Sequence, residues 1–358
     1  MVILHIASIV DDYCSGASVA VKQYLIEQSK LATVALANTN TIKIDKNINV
    51  YCIDKSFAIH KLETPFNHPD IVIFHELYCF DYIKISNELI NLKIPYIIVP
   101  HGGLSKKAQR KKAYKKIIGN LFLHNYFKFA SAYHYLTKDE QLNSIFKKKK
   151  SFILPNGITP RELRDYHFNK NKVVFTFVGR IDIYYKGLDY LIESIFRIRE
   201  FLFQKNVVFN LYGPENNDTI KLIKLIKKYN LEEIVFLHGP VNGEEKKSVL
   251  LNTTFFIQTS RSEGLPMGIL EALSYSIPCC LTVGTNLTDL IIKYNAGFAS
   301  RFDVSSICKM ITSAVDCSNY YDLLKGANRL VNNEFAWDSV ALKMIEKYKK
   351  IIKENKII

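Results

Sequence analysis

Cysteine is sparse and unpatterned in this 358-residue sequence: seven residues, an odd number, with no Cys-x-x-Cys pair. That argues against a disulfide framework and against a thiolate zinc site. Reduced thiols in the cytosol are the simplest expectation, with the adjacent Cys279 and Cys280 packing as small hydrophobes in a strand. Long apolar runs are missing too. The longest, such as Ile94 to Val99, are strand-sized, whereas a membrane-spanning helix needs roughly 20 residues. The opening Met-Val-Ile-Leu-His-Ile-Ala has no basic start and too short an apolar segment for a secretory leader, so a buried strand is expected there. No Gly-x-Gly-x-x-Gly follows that strand, which speaks against a dinucleotide oxidoreductase. Asp-x-Asp is absent, and no histidine spacing suggests a metal. Internal repeats and low-complexity tracts are absent as well.

The chain is rich in apolar residues, at 48%, enough for two globular cores, and its length favours two domains. Its formal net charge is +14. The excess is concentrated: residues 101–150 hold thirteen Lys plus Arg against only Asp139 and Glu140. Such a patch suits an anionic lipid surface, nucleic acid or an acidic substrate. No recognisable nucleic-acid-binding module accompanies it, so no nucleic-acid partner is expected. Lys147 to Lys150 read as a solvated helix end.

Strand-like and helix-like segments alternate from end to end, the pattern of an α/β fold with parallel sheets. Strands are expected near 2–7, 33–37, 48–53, 71–75, 96–100, 132–136 and 151–154, with helices at 17–31, 105–128 and 138–147. Residues 159–172 are polar, carry Pro160 and read as a linker. Alternation restarts with strands near 173–178, 207–212, 234–237, 254–258 and 278–282, followed by helices 304–315 and 319–332. Asp338 is the expected N-cap of a basic last helix, 339–356. Two Rossmann-like domains are therefore expected, at 1–160 and 161–338. Ligands of open α/β sheets sit beyond the carboxyl ends of the strands. The polar residues at such ends are Asp11, Asp12 and Gly16; His75 and Glu76; His101; Arg180; Gly213 and Glu215; and Glu263. They come from both halves, so an interdomain cleft is the expected site.

The most informative segment is Glu263-Gly-Leu-Pro-Met-Gly-Ile-Leu-Glu271, in which two carboxylates stand eight positions apart around a Gly-Leu-Pro turn that opens an apolar helix. Pro266 suits a first helical position. Free amides at a helix start favour an anion, and carboxylates on either side favour hydroxyls. A nucleotide-sugar carries both groups. Upstream, Phe175-Thr-Phe-Val-Gly179-Arg180 reads as a buried strand ending in Gly and a cation, and Lys186-Gly187 opens the next helix. Arg and Lys across one strand-to-helix loop form a clamp for a diphosphate.

These pieces, with Pro100-His101-Gly102-Gly103 and Leu154-Pro155-Asn156-Gly157-Ile158, resemble family 4 of the GT-B glycosyltransferases. The resemblance runs from the first strand to the final helix. It implies a last helix crossing back onto the first domain. It also implies transfer of a hexose from a nucleotide-sugar, UDP- or GDP-linked, to a saccharide or polyprenyl-linked acceptor. The transfer would proceed with retention, in cell-surface polysaccharide synthesis, with no metal and no cofactor. Arg180 and Lys186 would then neutralise the donor diphosphate. Glu263 would lie beside the donor sugar, with Glu271 on the ribose hydroxyls and His101 facing the sugar. Gly179, Gly264, Leu265, Met267 and Gly268 complete the implied donor-binding set. The loops carrying Gly213, Glu215 and Val241 would flank the base. His75 and Glu76 are candidates for the acceptor side, although His75 could equally cap its strand.

Some positions depart from the family pattern. Gly16 stands where many relatives have two adjacent glycines, Ser276 replaces a frequent Gly, and Asp289 replaces a common Glu. The rival readings are a nucleic-acid-binding protein, a Rossmann oxidoreductase and a non-catalytic glycosyltransferase-like partner subunit. The resembled surface-polysaccharide enzymes act at the cytoplasmic membrane face. Lys106, Lys107, Arg110, Lys111, Lys112, Lys115 and Lys116, followed by Ile117, Ile118, Leu121, Phe122 and Leu123, form the expected basic and apolar surface for an anionic membrane.

Overall fold

The computed structural model describes residues 1–10, 16–42, 44, 47–110, 113–146, 150–163 and 172–355. What the sequence suggests at Asp11, Asp12, Lys111, Lys112 and Lys147 lies outside the described residues, as does most of the 159–172 segment. The chain forms two compact units, one of Met1–Gly157 with Trp337–Ile358, the other of Ile158–Ala336. No helix among the described residues is long and apolar enough to cross a membrane.

The first unit is built on a parallel sheet of β1 (Val2–Ala7), β2 (Thr33–Asn38), β3 (Asn49–Cys52), β4 (Ile71–His75), β5 (Tyr96–Val99), β6 (Ala132–Tyr135) and β7 (Ser151–Ile153), in spatial order β3-β2-β1-β4-β5-β6-β7. Its central strands are continuous apolar runs because helices cover both faces; Ile71 to Phe74 are fully enclosed. The final helix, Trp337–Asn355, packs on the helix Gly16–Ser29. Trp337 sets that return in place. A Cβ on Gly157 would stand 2.4 Å from its Cδ2, and its ring meets that of Tyr24 edge-on at 5.4 Å.

The second unit repeats the plan with β8 (Val173–Val178), β9 (Val207–Tyr212), β10 (Val235–His238), β11 (Phe255–Gln258), β12 (Cys279–Thr282) and β13 (Gly297–Ser300), ordered β10-β9-β8-β11-β12-β13 and parallel throughout. Cys279 and Cys280 are buried in β12 as expected. In each sheet the strand order reverses next to the first strand, between β1 and β4 and between β8 and β11. Doubly wound sheets open their ligand crevice at that switch point.

Four expectations change. The stretch 105–128 is not one helix: Leu123 interrupts it between Ala113–Phe122 and His124–Lys128, with Lys106–Arg110 also helical. The last helix begins at Trp337, so Asp338 lies in its first turn and does not cap it; a π-helical segment, Val331–Phe335, precedes it. Gly16 lies in a helix, Gly16–Ser29, not in a loop. Pro266 is the N-cap, and the helix it opens is Met267–Ser274. Ser276, which stands at the family's frequent Gly, has φ +59. A left-handed residue with a Cβ costs about 1–2 kcal/mol, which is the physical reason glycine suits that position.

Candidate active site

The switch point of the second sheet collects the motif residues. β8 ends at Val178 and runs into Gly179 and Arg180; the loop then returns through Lys186 to Gly187, which caps the helix Leu188–Arg197 at φ +64. A side chain at Gly187 would put its Cβ 2.0 Å from the Thr259 carbonyl oxygen. The loop carrying the cations is therefore seated directly on the end of β11. A Cβ at Gly213 would stand 2.2 Å from the Gly179 carbonyl oxygen, so a third loop closes on the same point. The helix Met267–Ser274 comes as near: a Cβ at Gly268 would lie 2.9 Å from the Val178 carbonyl oxygen. Its first-turn amides thus open beside the Gly179-Arg180 loop, where they favour an anion.

Glu263 is the hub. Its Oε1 accepts from Lys186 Nζ at 2.7 Å, Gln258 Nε2 at 3.0 Å and Ser260 Oγ at 2.7 Å. Its amide donates to the Gly284 carbonyl at 2.8 Å, and the Glu263 backbone carbonyl accepts from Asn286 Nδ2 at 2.7 Å. The Lys186 and Glu263 side chains are 17% and 16% exposed, so the pair is largely desolvated yet reachable. Arg180 differs. Its side chain is 66% exposed and lies 3.6 Å from Asp182, a loose pairing that stabilises little.

Glu271 sits in the helix and pairs through Oε2 with Lys246, from the helix Gly243–Leu251. Leu265 is buried, while Gly264 and Met267 are half-buried. At the last residues of β9 and β10, the rings of Tyr212 and His238 stack at 4.4 Å. Glu215 follows Tyr212 and is exposed; Val241 follows His238 and is half-buried.

Sequence reasoning missed four residues here: Gln258, Ser260, Arg261 and Lys246. A polar run, Gln258-Thr-Ser260, closing an apolar strand was a signal, since those side chains are at most 2% exposed and must find partners. Arg261 donates to both oxygens of Asp189, at 2.8 and 2.7 Å, and lies over the rings of Tyr184, Tyr190 and Phe302. It clamps the cation loop to the carboxylate loop. Lys246 had no local signal, because its meaning depends on a partner 25 residues away.

The first unit carries its own polar cluster at the carboxyl ends of β4 and β5. His101 has φ +47, and the following Gly102 has φ +82. Glu140, buried beneath them, accepts from the Gly102 amide at 2.5 Å and from the Leu136 amide at 2.7 Å. Burial raises its carboxyl above the usual range, with those two amides opposing. His101 Nε2 lies 3.1 Å from His75 Nδ1, and His75 Nε2 lies 2.8 Å from His5 Nδ1. His5 and His75 are fully enclosed, so His75 supports His101 from behind and faces no ligand. Desolvation pulls His5 down to about 4 and His101 to about 3, and holds His75 well below its ordinary value. Glu76 is half-buried at φ +68, and desolvation raises its carboxyl.

Residues 159–333 match the family described as "Glycosyl transferases group 1". The chain is 24% identical over 347 residues to an uncharacterized glycosyltransferase of Methanocaldococcus jannaschii, covering 91% of this chain and 87% of that protein. It is 22% identical over 226 residues to the gpi3 subunit of phosphatidylinositol N-acetylglucosaminyltransferase from Schizosaccharomyces pombe, covering 63% of this chain and only 49% of that protein. The crystal structure of Anabaena HepE in complex with UDP shares the fold with a TM-score of 0.76 at 13% identity, covering 98% of this chain and all of that one. The two doubly wound parallel sheets are thus those of the GT-B fold, and the match to the glycosyl transferases group 1 model falls on the second unit.

Proposed function

We propose that this chain moves a hexose from a UDP- or GDP-sugar to a hydroxyl of a saccharide or polyprenyl-linked saccharide, with retention, at an anionic membrane surface in cell-surface polysaccharide synthesis. The observation that carries the reading is the meeting of Arg180, Lys186, Glu263 and a helix N-terminus at one switch point. Cations and amides there suit a diphosphate, and carboxylates suit hydroxyls. The sugar C1–O bond breaks with its electron pair passing to the diphosphate, where Arg180 and Lys186 stabilise the growing charge. The acceptor oxygen bonds C1 from the same face, and its proton passes to the departing phosphate oxygen. Glu263 is poorly disposed to act as a nucleophile, because its Oε1 already accepts three hydrogen bonds. It positions donor hydroxyls instead, while Glu271 takes the ribose hydroxyls and His101 accepts from a sugar hydroxyl. Gly179, Gly213, Gly264, Leu265, Met267 and Gly268 shape the donor contact; Glu215 and Val241 border the base. The reaction uses no cofactor and no metal. Transfer assayed in excess EDTA, with the product analysed by NMR, should give an α-linkage from an α-linked donor. A β-linked product, or loss of activity restored only by a divalent ion, would overturn the mechanism.

The membrane part of the reading rests on the helix Ala113–Phe122. Tyr114, Ile117, Ile118, Leu121 and Phe122 are each more than half exposed and recur at helical spacing, with Phe80 beside Phe122 at 6.4 Å. Exposed Arg110 and Lys115 flank this stripe. An apolar face with basic flanks suits interfacial docking, each cation contributing about 1 kcal/mol near an anionic leaflet. Flotation with phosphatidylserine vesicles should show binding that weakens with salt and in the double variant Arg110→Glu, Lys115→Glu. Equal binding to neutral vesicles, or none at low salt, would remove the membrane claim and leave the transfer chemistry standing.

A further inference from the structure

His5, His75 and His101 form a directional chain whose far end is an amide. Beyond His5, Nε2 lies 3.2 Å from Gln28 Oε1. The amide's orientation is set by its other side, where Gln28 Nε2 donates to Met344 Sδ at 3.5 Å, in the final helix. A thioether only accepts, so the NH₂ faces it and the carbonyl oxygen faces His5. A carbonyl oxygen also only accepts, so His5 must carry its proton on Nε2. A neutral imidazole has one N–H and one lone pair, which leaves His5 Nδ1 to accept. His75 must then donate from Nε2, and its Nδ1 must accept from His101. His101 therefore carries its proton on Nε2 and presents Nδ1 as a lone pair. The three rings lie nearly parallel, with centroids 5.1 and 5.4 Å apart, and Tyr24 packs against His75.

We infer that Gln28, through His5 and His75, fixes the tautomer of His101, so that His101 offers a ligand a hydrogen-bond acceptor and never a donor. Its partner must be an O–H or N–H group, such as a sugar hydroxyl; a phosphate or carboxylate oxygen is refused. Gln28, His5 and His75 are positioning residues: they touch no ligand and act through His101. A buried imidazole relay also keeps each ring neutral, because an added proton would set two N–H groups against each other. The ligand side of this inference rests on the glycosyl-transfer reading, whereas the tautomer does not depend on it.

The test is a long-range ¹H–¹⁵N correlation spectrum of the full chain with ¹⁵N-labelled histidine at pH 7, the His101 signals being identified by their loss in His101→Gln. His101 should show a protonated Nε2 and a bare Nδ1. In Gln28→Met the anchor is gone, and the His101 nitrogens should move toward averaged values; in Gln28→Glu, which keeps an acceptor, they should stay single-tautomer. With active enzyme, Gln28→Met should lose about tenfold in turnover, the scale of one neutral hydrogen bond, and Gln28→Glu should retain more than Gln28→Met. A proton on His101 Nδ1 in the wild type, or an unchanged His101 spectrum in folded Gln28→Met, would overturn the inference. Because the spectrum needs no donor or acceptor, it decides the tautomer even if the transfer reaction fails. Should Gln28→Met not fold, the wild-type and Gln28→Glu spectra still decide it, a proton on Nδ1 in either one counting against the relay.

Discussion

Lys186→Ala is expected to lower turnover by about 10²–10³, the usual loss when one transition-state donor is removed. Lys186 is held at 2.7 Å from Glu263 and is only 17% exposed, so its charge acts in a partly desolvated site where it counts for more than in water. Its removal also strands Glu263, whose Oε1 keeps only Gln258 and Ser260 as donors. The stability cost should fall between that of a surface pair and a buried one, about 2 kcal/mol. Arg180→Ala separates the two effects. At 66% exposure with a 3.6 Å partner, its loss should leave stability within about 0.5 kcal/mol of wild type, while turnover falls on the same scale as for Lys186. Activity within twofold of wild type in either variant would sink the clamp. Destabilisation with unchanged turnover would reduce Lys186 to a structural role.

Glu271→Ala is expected to act on affinity. Hydrogen bonds to a charged acceptor contribute about 1.5–3 kcal/mol, so losing the ribose contact should raise the donor Kd roughly 10- to 150-fold. The diagnostic is coupling to the ligand. Wild type should discriminate against 2′- and 3′-deoxyribose forms of the nucleotide, and Glu271→Ala should not. Lys246 complicates a simple reading, because Glu271→Ala also leaves that lysine without its carboxylate. Lys246→Ala alone should therefore change affinity by less than Glu271→Ala does. If Glu271→Ala binds ribose and deoxyribose forms with the wild-type preference, the carboxylate is not on the ribose.

The strands were legible because a parallel sheet covered on both faces leaves plain apolar runs; Val173–Val178 and Ile71–His75 stand where composition put them. β13 was not legible: Gly297-Phe-Ala-Ser300 contains one large apolar residue and pairs with β12 by position in the sheet. The single helix expected over 105–128 failed because its periodicity continues across the break at Leu123. Of the apolar residues expected at a surface, Ile117, Ile118, Leu121 and Phe122 are exposed, whereas Leu123 is buried. Asp338 resembled an N-cap by residue type alone, but the chain enters the helix at Trp337, where packing against Gly157 and Tyr24 decides the start. Within the candidate site, the motif residues could be named in advance because glycine spacing marks loops that must approach closely. Gly187, with its would-be Cβ 2.0 Å from a neighbouring carbonyl, shows why. The partners Arg261 and Lys246, and the line from Gln28 to His101, could not be named, since each depends on residues brought together only by the tertiary fold.

The central claim is that the second unit binds a nucleoside diphosphate through the Arg180–Lys186 loop and the helix at Met267. Its most direct test is thermal unfolding of the wild-type chain with UDP, GDP and ADP, repeated with Lys186→Ala. A ligand at 100 times its Kd stabilises the folded state by about 2.7 kcal/mol. UDP or GDP should therefore raise the wild-type Tm by several degrees, and the same concentration should raise that of Lys186→Ala far less. No rise with any of the three nucleotides, or an equal rise in the variant, would contradict the account.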